Sequence, residues 1–80
     1  MELEGVVVDV METWPLQLTV ISAETCYHIL LDMDTITYHN NEPHYDYPFQ
    51  PNQHIKIEGQ AFDGNFIVAK TIQILNHSTG

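Results

Sequence analysis

Pro51-Asn52-Gln53-His54-Ile55-Lys56-Ile57-Glu58-Gly59-Gln60, then Ala61-Phe62-Asp63-Gly64-Asn65, then Phe66-Ile67-Val68-Ala69-Lys70-Thr71-Ile72-Gln73-Ile74-Leu75 is the stretch whose reading decides the fold. Ile55 and Ile57 alternate with His54, Lys56 and Glu58, the period of a strand with one face in a core. Asp63-Gly64 supplies a turn, because glycine accepts positive φ without steric cost. In the second arm Ile67 and Ala69 fit one alternation and Ile72 and Ile74 the opposite one. The phase therefore slips near Lys70-Thr71, and a bulge there would bend the strand while still feeding apolar side chains inward. A bent hairpin of this kind predicts a small all-β barrel.

Working outward, residues 3–12 read as a first strand, with Val6, Val8 and Val10 on one face and Val7 and Met11 on the other. Such a strand would be buried on two sides, and Gly5 would let it curve. After Thr13-Trp14-Pro15, residues 15–22 alternate with Leu16, Leu18 and Val20 inward and Gln17 and Thr19 outward. Ser22-Ala23-Glu24 connects to a third strand at 25–32, with Tyr27, Ile29 and Leu31 on the core side. The last two strands fall at 53–60 and 65–75. Between Asp32 and Gln53 the pattern dissolves except at Thr35-Ile36-Thr37-Tyr38, which predicts a short extra strand. The Pro- and Tyr-rich insert that follows reads as loop, with Tyr45, Tyr47 and Phe49 at period two able to line a groove or, better for a core this small, to plug the barrel end. Residues 1–76 form a single domain in this reading, and 77–80 are expected to fray.

Composition narrows the function. At 80 residues there is room for one core and one site, and the lone Cys26 excludes an internal disulfide or a thiolate cluster. Met1-Glu2-Leu3-Glu4 lacks the basic segment of a signal peptide, and no apolar run is long enough for a membrane-spanning helix, so a cytoplasmic protein is expected. Asp and Glu number 11 against 2 Lys, a net charge of −9. Phosphate backbones are bound by Lys and Arg releasing counterions, and only Lys56 and Lys70 could do so here.

Strands in this order, with an insert between the third and fourth, resemble the OB-fold, a five-stranded Greek-key barrel. The resemblance is carried by residues 51–59 as the fourth strand with its closing glycine and by 66–72 as the fifth, and more weakly by 3–32. An SH3-like barrel is the structural alternative. OB-folds often bind oligonucleotides or oligosaccharides across strands two and three. Carried onto this chain, that face comprises Gln17, Thr19 and Ile21, then Cys26, His28 and Leu30, with Trp14 in the preceding loop. Trp14, Tyr45 and Tyr47 could stack on bases, but a basic track is missing, so single-stranded nucleic acid is the second expectation.

The first expectation is a non-catalytic module that binds protein, either its own copy or a basic partner, through an apolar patch at Ile21, Cys26 and Leu30. Catalytic chemistry finds little support. Cys26 and His28 share a strand face, yet nothing supplies an orienting group or an oxyanion site. His39 and His44 beside Glu42 and Asp46 suit a metal by residue type but not by any recognised spacing, and Asp32-Met33-Asp34 reads as a strand-end turn, lacking the further ligands of a calcium loop. No cofactor and no metal are expected.

Overall fold

A computed structural model describes residues 1–13, 15–44 and 48–75 of the chain. Six strands follow one another: β1 (Glu2–Met11), β2 (Leu16–Ser22), β3 (Thr25–His39), β4 (Glu42–His44), β5 (His54–Ala61) and β6 (Phe66–Ile74). Five of them close into a barrel in the order β1-β2-β3-β6-β5, with β5 returning to β1, while β4 hangs outside on β3. Every pairing is antiparallel except β3 with β6, so the sheet is mixed. No helix occurs among the described residues.

The barrel is filled by the inward alternation of each strand. Val7, Leu18, Val20, Ile29, Ile55, Ile57 and Ile72 are 0% exposed, and Leu31, Phe49, Ile67, Ala69 and Ile74 complete the buried cluster. Each fully buried aliphatic side chain contributes roughly 1.5–3 kcal/mol relative to exposure. Leu16 and Tyr27 pack against this cluster half-buried, on the side their alternation predicts. Phe49 belongs to the core. Tyr45 and Tyr47, the other aromatics of the proposed plug, lie outside the described residues, as do Trp14 and the tail beyond Leu75.

The phase slip expected in β6 is present. Glu58 pairs with Thr71 and Gly59 with Ala69, so Lys70 is the extra residue and the buried positions change from Ile67 and Ala69 to Ile72 and Ile74. Gly59 sits opposite, where a Cβ would collide with the Val68 carbonyl. Steric exclusion, not backbone freedom, fixes that glycine.

Three expectations are corrected. In β1 the inward residues are Leu3, Val7 and Val10, because a second bulge makes Val8 the extra residue between Val7 and Asp9. Val8 and Met11 are exposed, so this strand is not buried on both faces. Next, Thr35–Tyr38 is no separate strand: β3 continues through it for 15 residues. A straight strand that long would span roughly 46 Å, more than the molecule's longest extent of 38 Å. It fits by bending at Asp32-Met33-Asp34, an excursion within the strand instead of the turn at its end, across which the pairing with β6 jumps from Leu31–Ala69 to Ile36–Thr71. Finally, the insert is not all loop. Asn40 and Asn41, at φ 54° and 64°, form a two-residue turn that returns the chain as β4. The β2–β3 connection uses the same geometry with Ala23 and Glu24 at φ 50° and 68°, residues that adopt it at a cost.

The segment between β4 and β5 is tied to β1. Val7 N donates to Gln53 O (2.8 Å) and Asn52 N to Val7 O (2.7 Å). Pro51-Asn52, with Asn52 at φ 74°, makes the turn, and the Gln53 side chain accepts from Gln50 N at 2.9 Å.

Candidate interaction face

Paired residues on neighbouring strands point to the same side of a sheet, so registers convert strand positions into a surface. Inward Leu18, Val20, Ile29 and Ile67 leave their alternates on the outside. Three outer rows result. The first is Val6–Ile21–Cys26, the second Asp9–Thr19–His28–Phe66, and the third Met11–Gln17–Leu30–Val68–Gln60. All six strand residues expected from the sequence, Gln17, Thr19, Ile21, Cys26, His28 and Leu30, therefore come together as three adjacent cross-strand pairs. Trp14 and the loop aromatics Tyr45 and Tyr47 lie outside the described residues.

The rows also recruit residues that a strand-by-strand reading missed. Phe66 and Val68 oppose His28 and Leu30 across the parallel pairing, and Val6, Asp9 and Met11 join from β1. Alternation against buried Ile67 and Ala69 signals the outward direction of Phe66 and Val68 in the sequence. Nothing local signals the bulge at Val8 that brings Asp9 and Met11 into phase. Ile21, Met11 and Phe66 are 42%, 47% and 43% exposed. Cys26 is exposed too. The His28 imidazole stacks on the Phe66 ring with centroids 4.9 Å apart and planes at 26°.

Electrostatics set this wall apart. Asp9 alone among the three rows carries a formal charge, although the chain holds 11 acidic residues. Around the barrel, the outer rows of β1, β5 and β6 read Glu2–Glu58–Thr71 and Glu4–Lys56–Gln73, with Lys56 Nζ 3.5 Å from Glu2. In the insert the His39 and His44 rings lie with centroids 5.9 Å apart, and no group of three or more His, Cys, Asp or Glu able to hold a metal occurs among the described residues. Asp46, which with His39, Glu42 and His44 suits a metal by residue type alone, lies outside them.

No known protein family matches the chain, and no curated protein matches its sequence.

Proposed function

We propose that the chain is a non-catalytic OB-type barrel that binds a basic protein through the outer face of β2, β3 and the first half of β6. The observation that carries this reading is the contrast between three nearly uncharged, half-exposed rows and a chain of net charge −9. Apolar area exposed contiguously in a small domain marks contact surfaces, while surrounding charge governs which partners approach. The closure order, with an insert between the third barrel strand and the next, supports the OB-type reading. Partner choice follows from charge: a second copy would bring −9 against −9, whereas a basic protein is steered in.

Single-stranded nucleic acid is disfavoured by the same rows. They contain Phe66 and His28 as rings but no Lys or Arg, and Lys56 lies on the opposite wall. Stacking without a backbone track leaves phosphate repulsion uncompensated.

The test compares wild type with the Ile21→Glu, Leu30→Glu double variant as baits in the native extract. A basic protein retained by wild type, lost from the variant and weakened by salt is the expected result. Sedimentation of the pure protein adds the remaining arms: salt-promoted dimers disrupted by the double variant would assign the face to self-association, and retention of RNA or single-stranded DNA would assign it to nucleic acid.

A further inference from the structure

β3 and β6 depart from regular pairing at the same level, and the departures open a cleft. On β3 the excursion Asp32–Asp34 leaves the ladder; on β6 Lys70 bulges; on β5 Gly59 faces them without a side chain. The space between holds about 400 Å³ and is lined by Asp32, Asp34, Glu58, Phe62, Val68 and Lys70 among others. The excursion is held in place. Thr35 Oγ1 lies 2.6 Å from the Ala69 carbonyl and accepts from Asp32 N at 2.9 Å, while Asp34 N donates to Asp32 Oδ1 at 2.8 Å. Coincident bulges recur where a side chain or a site has to be presented.

The cleft is continuous with the apolar wall, since Val68 and Gln60 belong both to the third outer row and to its lining. Its chemistry differs from the wall's. Its lining carries three carboxylates, from Asp32, Asp34 and Glu58, one ammonium, from Lys70, and Phe62, which is 55% exposed. We infer that this cleft receives an arginine side chain of the protein partner whose apolar residues cover the adjoining wall. Arginine fits on three counts: its planar guanidinium pairs with carboxylates in a fork, it stacks on an aromatic face, and its aliphatic stem lies along apolar surface such as Val68. A second copy of this chain cannot supply it, because the sequence contains no arginine. The inference rests on the protein-binding reading and adds the anchor residue to it.

The experiment titrates ¹⁵N-labelled protein with the blocked peptide Gly-Ser-Leu-Arg-Val-Ser-Gly and with its citrulline counterpart, which keeps the shape and loses the charge. The expected result is movement of the Asp34, Glu58, Phe62 and Val68 amides by the arginine peptide, with affinity about five-fold or more weaker for citrulline and for the Asp34→Asn, Glu58→Gln variant. Both substituted side chains are on exposed residues, and the unliganded spectrum of the variant reports whether it is folded. Equal affinity of the two peptides would overturn the inference. Movement confined to the Ile21 and Cys26 amides would overturn it while leaving the wall as a docking face, and no movement in either region at millimolar peptide would count against both.

Discussion

Two outer walls of one small barrel are built by the same strand alternation and have opposite surfaces. Behind both lies a single buried cluster in which Ile29 backs the β2–β3 wall and Ile57 backs the β5 wall. In front, one wall presents Ile21, Leu30 and Phe66 and the other Glu2, Glu4, Lys56 and Glu58. Folding requires only the inner alternates to be apolar. The charged wall is what a strand facing water is expected to carry, and so the apolar wall is the feature that calls for a partner.

Substitutions of largest effect should show the walls to be equivalent from inside. Ile29→Ala and Ile57→Ala, each at a fully buried position, should each cost about 3 kcal/mol in denaturant unfolding. A loss at one site several times that at the other would mean that one shared core does not back both walls. Gly59→Ala comes next, at about 2 kcal/mol, because the added Cβ meets the backbone of Val68 where the two walls join. An unchanged midpoint there would mean that the bulge at Lys70 relaxes freely.

Smaller changes sharpen the contrast. Ala23→Asn with Glu24→Gly places residues suited to positive φ in the hairpin that carries the apolar wall and should stabilise by about 1 kcal/mol, raising Tm by several degrees. Destabilisation would contradict a turn with positive φ at both positions. Lys56→Ala on the charged wall removes a partly exposed ion pair with Glu2 and should shift stability by no more than about 0.5 kcal/mol, less still in high salt.

Much of this architecture was legible because strand alternation is a local signal. The inward sets of β2 and of β3 as far as Leu31, the Gly64 turn and the slip after Ala69 follow from residues a few positions apart. Longer-range terms decided the rest. Asp32-Met33-Asp34 breaks the periodicity of β3, yet β6 resumes pairing at Ile36, a parallel contact that no local pattern announces. Asn40-Asn41 is a hairpin signal that the surrounding prolines and polar residues obscured. The candidate face divides the same way: its three cross-strand pairs were foreseen as strand faces, while its extension to Phe66, Val68 and Asp9 depends on registers between strands distant in sequence.

Cys26, the single cysteine, stands exposed on the apolar wall, which permits a direct comparison of the two walls by photo-crosslinking in native extract. One sample carries a maleimide-benzophenone at Cys26; the other carries it on the charged wall in the Cys26→Ser, Gln73→Cys variant. Docking on the apolar wall predicts a basic protein crosslinked from position 26, competed by unlabelled wild type and not obtained from position 73. Adducts from position 73 alone, or the same adducts from both positions, would contradict it.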